Sequence, residues 1–251
     1  EPIPDFRIDV EIQKSFTENH SQSFKDTTGS SFNNWQHLAP TNIGSMTLSY
    51  FALNTFFRGS SDRALVGLFA QYEQNRLVAS QLLGKDVHEN PTLAGQGYTK
   101  GYGRVQQDVL MPAFIAAYTG KSINEVGVQE DYARNELFNA LPIPNWRLTY
   151  NGLSKLPLFQ EIFQNVNLTH AYRSQLSINS FNTRLKFIQT NGGVNQNTQD
   201  FYSRLEIPEI VIQEAFSPLI GLDIRTQNDM SIRFNYNRSR SLAMSFVSNQ
   251  L

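Results

Sequence analysis

The sequence predicts a mainly β protein made of unusually long antiparallel strands and interrupted by one helical insertion. Three observations carry that expectation. Apolar residues keep one parity over long runs, most plainly at Val166, Leu168, His170, Tyr172, Ser174, Leu176 and Ile178 and again from Met230 to Phe246. Period two is the signature of a strand with one apolar and one polar face. The middle of the chain changes to helical spacing. The composition suits a sheet hydrated on one side: 18 Phe, 10 Tyr and 2 Trp stand beside 23 Asn, 19 Gln, 22 Ser and 15 Thr, with charged residues at only 17%.

Taken in order, Phe6, Ile8, Val10 and Ile12 alternate with Arg7, Asp9, Glu11 and Gln13, and Met46, Leu48 and Tyr50 alternate with Ser45, Thr47 and Ser49. Between them, Thr27 to Phe57 contains no Asp, Glu, Lys or Arg. Its Ser, Asn, Thr and Gly exclude a hydrocarbon-buried helix. No window reaches about 18 consecutive apolar residues, so a membrane role requires a β-barrel. Ser60-Ser61-Asp62 marks a helix start, and Leu65, Leu68, Phe69, Tyr72, Ala79, Leu82 and Leu83 follow near helical spacing until Gly84. A second helix is expected over Val109–Tyr118, closed by Gly120, with Pro112 tolerable only near its first turn. Ala133–Asn139 predicts a short third, and Gly95 to Gly103 is a loop by composition. Residues 53–143 are thus the helical insertion between strand regions 1–52 and 144–251. Trp146, Leu148 and Tyr150 then resume strand alternation with Arg147 and Thr149.

At the C-terminal end, Ile220, Leu222 and Ile224 precede Met230, Ile232, Phe234, Tyr236, Arg238, Arg240, Leu242, Met244 and Phe246, all even-numbered. A two-residue hairpin loop would switch parity, so the turn is expected to be the three residues Gln227–Asp229. Unbroken parity from Met230 to Phe246 favours one strand of about seventeen residues, near 55 Å at roughly 3.3 Å per residue. Ordinary strands run about five or six residues. Two architectures satisfy the pattern. One is a soluble or surface-attached β-sandwich that binds glycan or protein, with Arg238–Ser241 as a turn; the other is a tall membrane barrel whose strands project beyond the bilayer. In a barrel, Trp146, Tyr150, Tyr172 and Tyr236 are girdle candidates. Arg238 and Arg240, on the apolar parity, mark where the strand leaves lipid.

Several chemistries are excluded or disfavoured. With 21 Lys+Arg against 22 Asp+Glu the chain has no basic field, so nucleic acid is not an expected partner. Zero cysteines remove disulfides, thiol catalysis and Cys-based zinc sites. The glycines at 95, 97, 101 and 103 lack a phosphate-loop context, and Gly120-Lys121-Ser122 has Ile115 where a phosphate loop needs its first glycine, so it reads as a helix end. His20, His37, His88 and His170 are isolated, with His170 expected to pack on its strand. Adjacent Glu130 and Asp131 point in different directions, and no GxSxG elbow occurs. No catalytic residue, metal site or cofactor is expected, and the protein is expected not to be an enzyme. The opening Glu1-Pro2-Ile3-Pro4 suggests a mature or excised piece.

Six segments carry a resemblance that runs almost end to end. They are Leu141-Pro-Ile-Pro-Asn-Trp-Arg-Leu-Thr-Tyr-Asn-Gly-Leu-Ser-Lys-Leu-Pro-Leu-Phe159 with Leu168-Thr-His-Ala-Tyr-Arg-Ser174, then Gln107 to Lys121, Pro4 to Val10, and Phe216 to Asp223 with Tyr236-Asn-Arg-Ser-Arg240. Together they resemble the SprA/Sov family, the outer-membrane translocon of the type 9 secretion system of Bacteroidetes. The resemblance implies a segment of a very large transmembrane antiparallel β-barrel in the outer membrane. Such a barrel exports folded cargo and in some members supports gliding motility. It also implies a PorV-type outer-membrane barrel protein, a periplasmic plug protein and secreted cargo as partners. Alternation then orients the wall: Arg233, Asn235 and Asn237 face the lumen, while Ile232, Phe234 and Tyr236 face outer-membrane lipid or partners.

Overall fold

The computed structural model describes residues 4–26, 35–38, 40–58, 62–84 and 88–246. The chain is mainly β, and eight of its strands form one antiparallel sheet that does not close. At its centre runs β7 (Phe163–Thr183), 21 residues long. Along one edge lies β9 (Glu209–Thr226), paired from Phe163↔Thr226 to Ser177↔Val211, with the two-residue β8 (Leu205–Glu206) continuing that edge. The other edge is shared end to end by β6 (Asn145–Tyr150), opposite Leu168 to Tyr172, and β5 (Thr41–Ser49), opposite Gln175 to Asn182. Outermost are β10 (Ser231–Ser245) on β9, β1 (Phe6–Glu11) on β6 and β2 (Lys14–Ser21) on β5. A short ribbon of β3 (Phe24–Asp26) and β4 (Trp35–His37) follows the β2–β5 hairpin.

The sheet is therefore five tall columns, three of them in two pieces. In the second column the chain leaves β5 at Ser49 and returns in line as β6 at Asn145. Ile143 N–H donates to the Ser49 carbonyl at 2.9 Å, and Ser174 N–H donates to Asn145 Oδ1 at 2.7 Å, which stitches both halves to β7. The helices occupy that gap, as the change of period predicts.

The expected C-terminal strand is continuous, because β10 stays paired with β9 through Arg238–Ser241. The sandwich turn is absent, and helices rather than a second sheet pack on the apolar face. Thr226 N–H bonds the Met230 carbonyl at 2.9 Å, so the hairpin loop has the three predicted residues, with Asp229 in the left-handed region at φ 57. A register shift separates Tyr236↔Ile220 from Arg238↔Phe216. It adds two residues to β9, and an even number leaves every side chain on its own face.

Helix α1 (Asp62–Leu83) matches the expected first helix; Ser60 and Ser61 of its predicted start lie outside the described residues. Helix α2 (Gln107–Thr119) begins two residues earlier than expected, because the Gln106 side chain accepts from Asp108 N (2.5 Å) and Val109 N (3.2 Å). That start corrects the placing of Pro112, which sits in the second turn and leaves the Asp108 carbonyl without its usual donor. Gly120 ends α2 in the left-handed conformation at φ 70. A short α3 (Ile123–Val126) follows, started by a Ser122–Glu125 capping box, and the expected third helix is a π-helical turn over Ala133–Leu137.

All thirteen residues of α2 are buried. A helix apolar on every side belongs in a core, and α2 lies between α1 and the sheet. Leu110, Met111, Phe114 and Ile115 join Met46, Leu48, Leu176, Ile178, Ile210, Ile212 and Met244 in one cluster. Each such side chain contributes about 1.5–3 kcal/mol by leaving water. The Gly-rich loop docks on residues 194–201: Asp200 accepts from Gly103 N at 2.6 Å and Asn90 Nδ2 at 3.2 Å. At Gly101, φ is +84 and a Cβ would meet the Phe201 ring at 2.1 Å. Close packing explains Gly101 and Gly103.

Candidate functional site

Residues opposed across an antiparallel sheet point to the same side, so the register sorts the columns into two faces. One row runs Phe6, Tyr150, Leu168, Leu222, Phe234 and another Val166, Ile224, Ile232, all even-numbered and mostly apolar. The opposite face carries Arg7, Thr149, Thr169, Gly221, Asn235 in one row and Asn167, Asp223, Arg233 in another. The polar face stays polar along the whole sheet: Ser49, Gln175, Gln213 and Ser241 form a row near its other end.

The apolar face has two fates. Over the half formed by β2, β5 and the adjoining parts of β7, β9 and β10, it is covered by α2 and the turn at 133–137. Over the other half it is exposed on the flanking strands, with Val10 61%, Phe234 55% and Ile220 51% exposed, together with Ile8, Ile232 and Tyr236, while Val166 on the central β7 is buried at 6%. From the Phe163↔Thr226 level to the Tyr172↔Phe216 level this bare band takes ten residues of β7. At roughly 3.3 Å per residue it runs about 33 Å along the strand.

Where cover and band meet, the apolar face carries a charged and aromatic step. Arg240 donates through Nε to Glu214 Oε2 at 2.5 Å and through Nη2 to the Ala52 carbonyl at 2.9 Å and Thr55 Oγ1 at 2.7 Å. The Tyr172 hydroxyl donates to Glu214 Oε1 at 2.6 Å. Burying a carboxylate is tolerable only when such donors surround it. Phe56 meets Phe216 edge-on at 5.0 Å, and the Arg238 guanidinium lies 5.3 and 5.2 Å from the Phe56 and Phe57 rings. Trp146 stacks against Tyr172 at 4.6 Å.

Of the residues singled out from sequence, Ile232, Phe234 and Tyr236 stand together on the bare band, while Arg233, Asn235 and Asn237 stand exposed on the polar face. Arg233 is paired with Asp223 at 2.5 Å. Tyr150 is half-buried beside Phe6, and Trp146 is half-buried at the step. Tyr172 needs correcting: it is 2% exposed with its hydroxyl committed to Glu214, so it belongs to the internal step and faces neither lipid nor partner. The covering helices carry a buried carboxyl, Asp108, pushed up to about 6 by desolvation against hydrogen bonds from Gln106 and Tyr132 N. Burial also raises Asp131, against the opposing pull of Arg204 and Arg134. Among the described residues no three His, Cys, Asp or Glu side chains converge as a metal site.

Glu214, Phe56 and Phe57 were not legible as site residues. Glu214 did leave a signal, since it is a lone acid on the apolar parity of its strand, as Arg240 is a base on the next. A scan against protein-family models gives no match for this chain, and a search of curated proteins gives none.

Proposed function

We propose that this chain is a stretch of wall in an outer-membrane β-barrel. The observation that carries this reading is the division of the sheet's apolar face into a helix-covered half and a largely exposed half ten β7 residues long, which at the strand tilt near 40° of a membrane barrel would stand about 25 Å tall, backed by a polar face. A cluster of exposed Ile8, Val10, Ile220, Ile232, Phe234 and Tyr236 on one face is the kind of apolar patch that marks an interaction or membrane surface. In lipid the same band is the favourable state. The outer edges of the β1–β2 column and of β10 have no strand partner among the described residues, and such edges are satisfied by neighbouring strands of a closed wall.

The finer reading rests on the resemblance of Leu141–Phe159 and the other five segments to the SprA/Sov family. On that ground the wall belongs to a very large barrel that exports folded cargo proteins in type 9 secretion and supports gliding motility. Its partners are a PorV-type barrel protein, a periplasmic plug protein and the cargo. Transport in this reading is the work of a wide polar lumen lined by residues such as Arg233, Asn235 and Asn237. It needs no active site or cofactor.

The chain contains no cysteine, which makes it suited to site-specific labelling. With a fluorophore placed singly at residues 232–237 of the full-length protein in vesicles, chain-labelled lipid is expected to quench the even positions and leave the odd ones bright. Water exposure at the even positions would sink the proposal. An antibody to this segment is expected to find a very large, heat-modifiable band in the outer-membrane fraction; a small soluble band would remove the secretion reading.

A further inference from the structure

We propose that the step between the bare band and the helical cover seats the phosphate headgroup of a membrane lipid, held by Arg238 and Arg58 beside the Phe57 ring. The proposal rests on the wall reading above and adds to it a site and a ligand class. It starts from a point of topology. The helices cover the same face of the sheet that is bare further along, because Met46, Leu48, Leu176 and Ile212 under the helices share their side with Leu168, Leu222 and Phe234 in the band. If lipid meets the bare half, the helical insertion stands outside the wall and beside the bilayer, not in the lumen. The headgroup layer then ends against the step.

The side chains at the step have the character that layer selects. Phe57 is 51% exposed and packs on Phe216 at 5.5 Å, with Trp146 and Phe51 nearby. Aromatic rings and arginines are the residues that favour a membrane interface. Arg238 lies half-buried on the apolar parity and makes no ion pair among the described residues, since the one acid at hand, Glu214, is taken by Arg240 and Tyr172. Arg58, next to Phe57, is exposed and likewise without an ion pair among the described residues. Three arginines of the polar face contrast with both: Arg7, Arg225 and Arg233 have carboxylates at 2.8, 2.8 and 2.5 Å, whereas Arg147 on that face has no ion pair among the described residues. The Arg238 guanidinium, lacking a counter-ion where the apolar band stops, offers a fork that can take a phosphate bidentately, and Arg58 follows Phe57 directly in the chain.

The test uses the full-length protein in vesicles of phosphatidylcholine and phosphatidylglycerol, spin-labelled either at the headgroup or at mid-chain. A fluorophore at Phe57→Cys is expected to be quenched most by the headgroup label, and one at Phe234→Cys by the mid-chain label. In native mass spectrometry, Arg238→Gln with Arg58→Gln is expected to lower the occupancy of retained phospholipid by roughly 10-fold or more, as losing a charge-assisted contact implies. Arg238→Lys keeps part of it, Arg225→Gln on the other face changes nothing, and added inorganic phosphate does not displace the lipid. Mid-chain quenching at 234 with no headgroup quenching at 57 would overturn the lipid seat and spare the wall. No quenching at 234 would overturn the wall reading and the seat with it. Wild-type lipid retention in the double variant, or displacement by inorganic phosphate, would overturn the seat alone.

Discussion

Replacing Glu214 by leucine should release the start of the helical insertion from the sheet. Glu214 holds Arg240 at 2.5 Å and the Tyr172 hydroxyl at 2.6 Å, and its side chain is fully buried while that of Arg240 keeps 19% exposure. Removing one member of a buried pair costs about 3–5 kcal/mol, because the other charge is stranded. Water reaching Arg240 at its exposed edge softens this to the lower end, about 3 kcal/mol. Arg240 also grips the Ala52 carbonyl and Thr55 Oγ1, so the loosening is passed to the turn at 53–55. The assay is hydrogen exchange in the full-length protein, read at the Phe56 amide, which bonds the Leu53 carbonyl at 3.0 Å. About 3 kcal/mol corresponds to exchange roughly 100-fold faster when opening is in rapid equilibrium. Glu214→Gln, which keeps an acceptor for Tyr172, should exchange at an intermediate rate. Glu214→Leu with Arg240→Met should recover most of the protection, since two apolar side chains of similar volume replace a buried pair at little cost. Unchanged exchange in Glu214→Leu, or a double variant no better than the single one, would refute this account of the step.

Other expectations address the wall and its cover. Phe234→Lys should lower folding stability in bilayers by about 2–4 kcal/mol if residue 234 lies near mid-membrane, while Asn235→Lys is near neutral; equal losses in a vesicle-refolding titration would contradict the face assignment. Asp108 titrates near 6 in the fold against 3.8 ordinarily, so its contribution is complete below the lower value and is lost as pH climbs through the upper one. Denaturation between pH 4 and 7 should therefore cost the wild type up to about 3 kcal/mol more than Asp108→Asn, with the curves converging at the acid end. Phe114→Ala should cost about 3–5 kcal/mol and unseat α2, read as proteolysis within residues 88–144. Gly101→Ala, forced against the Phe201 ring at positive φ, should cost about 2 kcal/mol and loosen the 88–103 loop in hydrogen exchange.

Much of the sheet was legible because alternation depends on local geometry. The parity of Met230 to Phe246 predicted a continuous strand and the three-residue loop before it, and β10 has both. Parity reports only that a side chain meets something apolar, so it could not distinguish Met244, packed under helices, from Phe234, left bare. The partner of Arg240 was hidden for a different reason. Extending the register of the Gln227–Asp229 hairpin would set Arg240 against Phe216, and the two extra residues in β9 bring Glu214 there instead. A bulge of that kind leaves no trace in an unbroken parity. Tyr172 was misread as a girdle residue because the turn at 53–57, which buries it, lies more than a hundred positions away. The capping box from Ser122 to Glu125 was visible in the sequence, yet the glycine before it drew the reading toward a helix end.

The gap in the second column has a consequence for how such a wall can be built. Ser49 and Ile143 are joined by one hydrogen bond of 2.9 Å, so the ends of the helical excursion stand as close as neighbours within a strand. Ser49 stands opposite Gln175 and Trp146 opposite Tyr172, so splicing a one-residue link between Ser49 and Asn145 would restore an unbroken strand without disturbing any other register. The wall would also lose its shutter. Met46, Leu48, Leu176, Ile178, Ile210 and Ile212 would be uncovered, and the greasy side of the sheet would run from top to bottom, too tall for a bilayer of ordinary thickness. To an apolar row, a leucine on a helix and an acyl chain are interchangeable neighbours. If the sheet is a membrane wall, the aperture it leaves open to lipid is set by what has been spliced into one break in one strand, and strands of a single uniform design would serve membranes of different thickness by changing only that graft.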